Sequence, residues 1–306
     1  MNQEEVKIES IQKISAGYFK LELFNPKIAK QAVPGQFLQI KISGHNEPFL
    51  RRPFSIHRVS SQGPAARGKG KNKNSKIIEL LCEIKGEGTR ILSQKKPGEF
   101  LDVIGPLGNG FNSPKPNTQY PIPILVAGGM GVAPIMFLAE KLAIKTRGHQ
   151  DSRTPVVLIG AETKKQILCE KEFKRLGCEV RIATDDGSKG FKGRVTDLLI
   201  YSLRKNLDLG KILRLAKGRP QDDDRDIAQQ LRQGLWSIYA CGPKPMLRET
   251  SRIAQEYRIP AQVSLEEHMS CGFGACLGCV VKTKSGFQRV CKEGPVFDAR
   301  EIVWDR

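Results

Sequence analysis

The first hundred residues alternate short apolar runs with turn-forming residues, a pattern that indicates strands rather than helices. The runs follow one another closely and are bounded by Gly, Pro, Asn or charged residues. Short strands at such spacing are typical of a small antiparallel barrel. The predicted strands cover residues 18–23, 37–42, 77–83 and 100–104.

The pattern changes near residue 121, where apolar strands begin to alternate with helical segments. Strands are predicted over residues 122–127, 156–160, 180–184 and 237–240, and a helix over 134–145 with Pro134 in its first turn. This alternation predicts a parallel, doubly wound sheet. We therefore expect an α+β multidomain chain, with an antiparallel β-barrel domain over residues 1–112, a doubly wound α/β domain over 113–260 and a small C-terminal domain over 261–306.

Two polar stretches interrupt these patterns, and both are predicted to be surface insertions. Residues 61–76 carry five Lys and Arg residues without an acid, and residues 201–233 include three consecutive Asp residues. The basic stretch has no aromatic ring to stack on bases, so it gives little support for a nucleic-acid partner.

Composition limits the class of protein. The chain has 306 residues, 39% hydrophobic and 27% charged, which excludes collagen-like, fully disordered and membrane-spanning classes. A net charge of +18 leaves open a nucleic acid, a membrane surface or an acidic protein as partner. No apolar run approaches the ~18 residues of a transmembrane helix, and no secretory signal is visible. We expect a cytoplasmic protein with no nucleic-acid or membrane partner, and with reduced thiols.

Four of the eight cysteines lie close together near the end of the chain, in the pattern C-x4-C-x2-C-x11-C. They are Cys271, Cys276, Cys279 and Cys291. Four cysteines can hold a structural zinc or an iron–sulfur cluster. Zinc ribbons favour two C-x2-C pairs, whereas C-x4-C-x2-C followed by a distant cysteine is the plant-type spacing for [2Fe–2S]. The pattern therefore favours a [2Fe–2S] cluster, with zinc as the alternative.

Glycines separate these cysteines, as a loop around an inorganic core requires. Gly272, Gly274 and Gly278 are expected to supply positive φ angles and to let amides turn inward toward the sulfides. Residues 280–283 are predicted as a strand and residues 289–291 as its return.

Two short motifs in the barrel region have the residues that a flavin nucleotide needs. Arg52-Pro53-Phe54-Ser55-Ile56 is expected to follow a strand, where Arg52 can neutralise a pyrophosphate and Ser55 can hydrogen-bond a flat heterocycle. Gly88 and Thr89 are expected between a strand and a helix over residues 90–94, where the glycine admits phosphate oxygens and the threonine caps the helix. Taken alone, the first motif is weak evidence, because an arginine before a proline is commonly just solvated. The alternative for the second motif is a plain strand-to-helix turn.

Three segments at predicted strand ends are placed to meet a dinucleotide. They are the glycine turn of Gly128, Gly129 and Gly131, the tripeptide Cys241-Gly242-Pro243, and Asp185. Glu162 would accept a hydrogen bond from a ribose and repel a 2′-phosphate, which favours NAD over NADP. Lys164 and Lys165 beside it weaken that inference.

These motifs occur in a specific order: RPFS, GEGT, GGMGVAP, CGP, then EEHMSCGFGACLGCVVK (266–282) with VCKEGPVF (290–297). In this order the chain resembles the ferredoxin–NADP reductase superfamily. It is more closely similar to the family of electron transfer subunits of dihydroorotate dehydrogenase B. The resemblance covers nearly the whole chain, and the cysteine segment is its most specific part.

The resemblance implies a bound FAD, a bound [2Fe–2S] cluster and NAD as electron acceptor. It also implies a catalytic FMN-containing dihydroorotate dehydrogenase subunit as partner, in a heterotetramer of two plus two. Dihydroorotate oxidation would occur in that partner. By this likeness the flavin site has Arg52, Pro53, Phe54 and Ser55 on the flavin, Leu81, Cys82 and Glu83 along a strand, and Gly88 and Thr89 on the pyrophosphate.

The order of the modules predicts a path for electrons. Nicotinamide accepts only hydride and [2Fe–2S] passes single electrons, so a flavin able to do both is expected between them. No acid–base catalytic residue is expected, and Ser55 and Cys241 are predicted to tune the flavin and the nicotinamide. The alternative is a subunit of an NAD(P)H-dependent ferredoxin, sulfide or hydrogenase-type reductase with the same cofactors. A basic nucleic-acid-binding protein with a zinc-stabilised tail is a third hypothesis.

Overall fold

The computed structural model describes residues 2–42, 48–60, 76–112, 122–146, 154–206 and 236–304. Its helices are α1 (Pro26–Gln31), α2 (Glu87–Gln94), α3 (Val132–Thr146), α4 (Glu170–Arg175), α5 (Val195–Asn206) and α6 (Lys244–Glu256). Its strands are β1 (Asn2–Ser15), β2 (Tyr18–Phe24), β3 (Phe37–Lys41), β4 (Arg52–Ser60), β5 (Ile77–Glu83), β6 (Phe100–Leu107), β7 (Ile122–Gly128), β8 (Val156–Ala161), β9 (Glu179–Thr184), β10 (Phe191–Lys192), β11 (Trp236–Cys241), β12 (Ala261–Ser264), β13 (Val280–Thr283), β14 (Gly286–Arg289) and β15 (Val296–Asp298).

Six strands close into an antiparallel barrel in the order β1-β2-β5-β4-β3-β6, which confirms the predicted barrel. Alternate side chains enter its core, among them Leu21, Leu23, Ile78 and Leu80, all fully buried. Strand β1 closes the barrel by pairing with both β2 and β6. It has no counterpart among the predicted strands, because its polar residues interrupt any apolar run.

Residues 52–56 follow β3 in the chain, as predicted, and they also form the start of strand β4, which was not predicted. Proline cannot donate to a sheet ladder, and Pro53 therefore masks the strand in the sequence. Pairing with β3 holds the segment extended, with Arg52 opposite Ile40 and Ser55 opposite Phe37.

A seven-stranded sheet has the order β10-β9-β8-β7-β11-β12-β15. The pairs β8–β9, β7–β8, β11–β7 and β10–β9 are parallel, as predicted for a doubly wound fold. The central strand β7 places Leu125, Val126 and Ala127 in succession at 0% exposure, because helices cover both faces of such a sheet. The four predicted strands correspond to β7, β8, β9 and β11, with ends shifted by one residue.

The predicted insertion over residues 201–233 begins too early. Residues 201–206 complete helix α5, where Leu199 and Leu203 are buried one helical turn apart. Residues 207–235 lie outside the described residues, as do residues 61–75 of the predicted basic insertion.

Contacts divide the chain into two compact units. The first consists of Met1–Phe111, Ala133–Leu138 and Ser264–Val296, and the second of Asn112–Val132, Ala139–Val263 and Phe297–Arg306. The cysteine segment therefore belongs to the same compact unit as the barrel. The division into three domains at residues 112 and 260 stays a prediction.

The first unit also buries a charged cluster, on the strand face opposite the barrel core. Lys20 Nζ lies 3.1 Å from Glu79 Oε1, and His57 Nε2 lies 3.5 Å from the same oxygen. Burial lowers the pKa of His57 to about 4, so its ring is neutral at pH 7. The His57 Nδ1–H therefore donates to the carbonyl oxygen of Ala133, at 3.0 Å.

Within the described ranges, no helix combines the length and the apolar character needed to cross a membrane.

Candidate functional site

The predicted flavin motif lies at the start of β4. Its residues 52–55 pair with β3 on one side, whereas pairing with β5 on the other side begins only at Ile56. Successive side chains alternate along a strand, so Phe54 packs into the barrel core while Pro53 and Ser55 point to the opposite face. The Phe54 ring is only 8% exposed. A ligand on the face of Ser55 would therefore meet the backbone of Phe54 rather than its ring.

Arg52 and Gly88, far apart in the sequence, lie together in the structure. A Cβ atom built on Gly88 would stand 3.2 Å from Arg52 Nε, so the absence of a side chain lets the guanidinium lie against the first turn of α2. Arg52 Nη1 donates to the carbonyl oxygen of Leu50, at 2.6 Å. The two predicted halves of the flavin site are thus brought together.

Helix α2 begins at Glu87, with Gly86 as its N-cap, so the predicted start at residue 90 was wrong. Gly88 and Thr89 belong to its first turn. Gly86 has no side chain to cap the helix, and the hydroxyl of Thr89 bonds to the free backbone groups instead. Thr89 Oγ1 accepts from the amides of Lys85 and Gly86, at 2.9 and 3.2 Å, and donates to the Gly86 carbonyl oxygen at 3.0 Å.

The end of strand β5 has a free backbone edge beside the motif. The ladder between β4 and β5 ends at Ile56 opposite Leu80, and within the described residues no pair extends it to residues 81–83. The side chains of Leu81 and Cys82 are buried, and burial raises the pKa of the Cys82 thiol. Glu83 accepts from the Tyr18 hydroxyl at 3.3 Å. Ligand contacts along this strand are therefore left to the backbone and Glu83.

The predicted dinucleotide turn and the CGP tripeptide meet at the carboxyl edge of the parallel sheet. Strands β7 and β11 are neighbours, with Ala127 opposite Cys241. A Cβ atom on Gly131 would stand 2.0 Å from the carbonyl oxygen of Cys241, and one on Gly128 would stand 2.9 Å from Pro243 Cδ. These contacts explain why glycine is needed at both positions.

Backbone conformation assigns different tasks to the remaining residues of the two motifs. Gly129 has φ of +52° and open space around it, and Gly242 has φ of +158°. Pro134 is the third residue of α3 and is buried. Gly129 therefore supplies the left-handed turn, whereas Gly242 permits close packing, since a Cβ atom there would stand 3.0 Å from the Gly128 amide nitrogen.

The residues predicted to meet a ribose are exposed at the ends of neighbouring strands. The Asp185 amide donates to the carbonyl oxygen of Ala161 at 3.1 Å, which joins the loops after β9 and β8. The carboxylate of Glu162 accepts from Gln166 Nε2 at 3.2 Å. The preference for NAD over NADP stays a prediction.

The four cysteines of the C-terminal segment fall into two pairs. Cys271 pairs with Cys276 and Cys279 with Cys291, because in each pair the backbone amide of the later residue donates to the sulfur of the earlier one. Backbone amides point at the sulfurs: those of Ala275 and Cys276 donate to Cys271 Sγ at 3.3 and 3.5 Å, and that of Cys291 donates to Cys279 Sγ at 3.4 Å. A loop of this kind surrounds its sulfurs with N–H donors, as an iron–sulfur centre requires.

Local backbone conformation produces this arrangement. Gly272 and Gly274 have φ of +80° and +93°, as predicted for a loop that folds inward, whereas Gly278 has no positive φ. Leu277 instead adopts φ of +58°, a conformation that no pattern around it predicts. The amide of Gly278 donates to Cys276 Sγ at 3.4 Å.

The thiols differ in acidity. Burial raises the pKa of Cys271, but the amides of Cys276, Phe273 and Ala275 outweigh it and lower the value to about 6. Burial raises the pKa of Cys291 to about 12, and the neighbouring Cys279 acts in the same direction. Cys271 thus favours the thiolate form that binds metals, whereas Cys279 and Cys291 are buried.

The predicted return strand over residues 289–291 was only partly right. Strand β14 ends at Arg289, opposite Val280 of β13. The amides of Lys292, Glu293 and Gly294 all donate to the Arg289 carbonyl oxygen, at 3.0–3.2 Å, and this tight turn ends the strand before Cys291.

Two residues of this region were not predicted. Gln39 of β3 is fully buried beneath the cysteine loop, and a Cβ atom on Gly272 would stand 2.3 Å from its Cγ. Its Oε1 has no hydrogen-bond partner among the described residues. The second of these residues is Arg289, which donates to Glu293 and to the carbonyl oxygen of Gly274 in the cysteine loop. Its spacing to Glu293 is that of an ion pair and could have identified it, whereas no sequence signal marks Gln39.

Two family models match the chain. The iron–sulfur cluster binding domain of dihydroorotate dehydrogenase B matches residues 266–303, and the oxidoreductase NAD-binding domain matches residues 125–252. These segments contain the paired cysteines and the glycine turn described above.

Similar proteins extend along nearly the whole chain. The dihydroorotate dehydrogenase B (NAD(+)) electron transfer subunit of Desulforamulus reducens is 38% identical over 306 residues, covering 98% of each chain. The protein of the same name from Geobacillus sp. strain WCH70 is 33% identical, covering 99% of each chain.

Solved structures agree on the fold. The structure of an NADH-dependent reduced ferredoxin-NADP oxidoreductase superposes with a TM-score of 0.72 at 27% identity, covering 98% of this chain and 90% of that one. A ferredoxin NADP+ reductase from Neisseria gonorrhoeae superposes with a TM-score of 0.58 at 14% identity, covering 84% and 92%. From the identity to these relatives over nearly its whole length and the match of its cysteine segment, this chain belongs to the family of dihydroorotate dehydrogenase B (NAD(+)) electron transfer subunits.

Proposed function

We propose that this protein passes electrons from a dihydroorotate-oxidising flavoprotein, through a [2Fe–2S] cluster and FAD, to NAD+. The observation that carries the proposal is the paired arrangement of Cys271, Cys276, Cys279 and Cys291, with amides directed at their sulfurs. The similar protein from Desulforamulus reducens is named an electron transfer subunit, which supports the same role. Accordingly we assign residues 1–112 to flavin binding, 113–260 to NAD binding and 261–306 to cluster binding.

The cysteine spacing and the family model favour a [2Fe–2S] cluster over the zinc alternative. The pattern C-x4-C-x2-C with a distant fourth cysteine is the plant-type spacing for two irons. The matched iron–sulfur cluster binding domain, residues 266–303, contains all four cysteines. In each pair, the amide of one cysteine donates to the sulfur of the other, which keeps the two residues together.

The flavin site is assigned to the gap between the motif in β4 and the free edge of β5. Ser55 and the backbone of Phe54 would hold the isoalloxazine from one side, with residues 81–83 along the other. Arg52, lying against the first turn of α2, would neutralise the pyrophosphate, since a helix N-terminus and a guanidinium both favour an anion.

The nicotinamide site is assigned to the carboxyl edge of the sheet, at Gly128–Gly131 and Cys241-Gly242-Pro243. Neighbouring parallel strands bind dinucleotides at this edge. When bound, the flavin supplies the exchange between hydride chemistry and single-electron chemistry. The protein's own residues would hold and orient these groups at the two sites.

The partner that we propose is a catalytic FMN-containing dihydroorotate dehydrogenase subunit, in a heterotetramer of two plus two in the cytoplasm, serving pyrimidine synthesis. We assign no dihydroorotate site to this chain and place that oxidation in the partner. The partner would therefore bind the substrate, and this chain would bind NAD.

Replacing Cys276, the exposed cysteine of the four, tests the order of electron transfer. Cys276→Ser should abolish NAD+ reduction driven by the partner and dihydroorotate, yet leave oxidation of NADH by ferricyanide near the native rate. Cys178→Ser, a buried cysteine of the second compact unit, serves as the matched control and should keep both activities. Equal loss of both activities in Cys276→Ser would contradict the proposed order.

A second candidate function is a subunit of an NAD(P)H-dependent ferredoxin-type reductase. The observation in its favour is the 27% identity over 98% of the chain to an NADH-dependent reduced ferredoxin-NADP oxidoreductase. Steady-state rates with dihydroorotate and its dehydrogenase, against rates with reduced ferredoxin, distinguish the two. A faster reaction with ferredoxin, or with NADP+ than with NAD+, would favour this candidate.

A further inference from the structure

Arg289 connects the two cysteine pairs of the C-terminal segment. Its Nη1 donates to the carbonyl oxygen of Gly274, at 2.8 Å, inside the loop between Cys271 and Cys276. Its Nε donates to Glu293 Oε2 at 2.9 Å, and Nη2 donates to Glu293 Oε1. The guanidinium is therefore held in one position by acceptors on both sides of it.

The same residue lies beside the second cysteine pair. Arg289 precedes Cys291 by two residues, and the amide of Val290 between them donates to the carbonyl oxygen of Cys279 at 2.9 Å. The Arg289 backbone lies at the end of β14, opposite the residue that follows Cys279. Gly274 permits the approach, because a Cβ atom there would stand 3.4 Å from Nη1 and 2.7 Å from Lys292 Cδ.

We propose that Arg289 and Glu293 form an electrostatic pair that sets the reduction potential of the cluster held by the four cysteines. The proposal rests on the proposed function, because it needs a cluster at this site. Arg289 is a positioning and tuning residue, since it contacts the loop and the neighbourhood of the sulfurs without supplying a ligand.

The physical reason is the change of charge on reduction. One electron enters the cluster from the reductant, and no bond forms or breaks. A fixed cation stabilises the added negative charge, whereas a carboxylate at the same place opposes it. Glu293 also fixes the guanidinium by a two-point hydrogen bond, so it limits both the position and the strength of the positive field.

The test is an EPR-monitored titration of the full chain with dithionite, after anaerobic reconstitution. Arg289→Gln should lower the ratio of reduced to oxidised cluster by about tenfold at a fixed ambient potential, which corresponds to about 59 mV for one electron. Glu293→Gln should raise that ratio, because the guanidinium is then no longer neutralised. A purely structural role would not produce shifts of opposite sign.

Two control variants separate charge from hydrogen bonding. Arg289→Lys keeps the cation and should keep the reduction potential near that of the native protein. Lys284→Gln removes a positive charge at the turn between β13 and β14, four residues or ~13 Å along the hairpin from Val280. Screening at that distance should leave the potential unchanged.

Iron analysis of every variant decides the remaining outcomes. Unchanged potentials in Arg289→Gln and Glu293→Gln with iron retained, or shifts of the same sign, would overturn the proposal. Loss of iron from all three variants of the pair would also overturn it, because the pair would then only hold the segment together. A native chain that binds no iron would instead refute the proposed function, which is a distinguishable result.

Discussion

The barrel and the parallel sheet bury different kinds of residue. The central strand β7 is covered on both faces and carries an unbroken apolar run. In the turn after β7, the backbone of Cys241 comes so close to Gly131 that only glycine fits. Strands β2 and β5 of the barrel place apolar residues on one face and bury Lys20 and Glu79 on the other. The sheet therefore brings backbone segments into close contact at its edge, whereas the barrel unit buries a pair of opposite charges.

The largest effect is expected from adding one methyl group at the sheet edge. In Gly131→Ala the new Cβ would lie 2.0 Å from the Cys241 carbonyl oxygen, so the backbone must move. We expect a loss of more than about 4 kcal/mol in the free energy of unfolding, together with loss of NADH binding. Urea denaturation and NADH titration measure the two effects.

Gly129→Ala is the matched control in the same turn. Gly129 has φ of +52° but nothing within 4 Å of a Cβ, so only the left-handed backbone is penalised, by about 1 kcal/mol. If the two variants are equally stable, close approach is not what fixes glycine at position 131.

Acid should affect the barrel unit before the sheet. His57 has a pKa of about 4 in the folded protein against 6.5 as its ordinary value, mainly because of burial; Glu79 opposes the shift, and Lys20 and Arg58 add to it. The folded state binds the proton less readily than the unfolded chain. Its contribution is therefore complete above pH 6.5 and is lost as the pH falls from 6.5 through 4, by up to about 3 kcal/mol.

Hydrogen exchange at pH 7 and pH 5 measures this difference by region. After correction for intrinsic rates, amides of β4 and β5 should lose protection at pH 5 more than amides of β7 and β8. His57→Asn keeps a donor for the Ala133 carbonyl oxygen without a titrating ring, and it should abolish the difference. Equal loss of protection in both strand groups of the native protein would contradict this assignment.

The smallest effect is expected at the first turn of α2. Thr89→Val removes the hydroxyl that bonds to Lys85 and Gly86 while keeping the shape of the side chain. We expect a loss of about 1 kcal/mol in the free energy of unfolding, as for other caps, and faster release of flavin on dilution. Thr89→Ser, which keeps the hydroxyl, should behave like the native protein in both measurements.

Local patterns were sufficient to predict the barrel, the sheet and the cysteine spacing. Iron ligands in one loop must lie close in sequence, and strands of a doubly wound sheet carry apolar runs that are visible without a structure. Strand β1 escaped prediction because only Val6 and Ile8 are its buried hydrophobic residues. The start of α2 was misplaced because Gly86 is a weak signal for an N-cap.

Contacts between distant segments could not be predicted. The burial of Gln39 beneath Gly272 joins residues more than 200 positions apart, and neither has a property that identifies the other. Arg289 and Glu293 are visible as an ion-pair spacing, but the bond from Arg289 to Gly274 depends on how the loop folds back. Tertiary packing decides such contacts, and residue type alone does not.

The first compact unit is assembled from three separate stretches of chain, the last of which is Ser264–Val296. The six strands of the barrel all lie before residue 108, so they can pair before this stretch is synthesised. The cysteine loop then packs on a surface that the barrel already offers, with Gly272 against Gln39 of β3. Removal of residues 264–296 should consequently leave a closed barrel in which Gln39 is exposed.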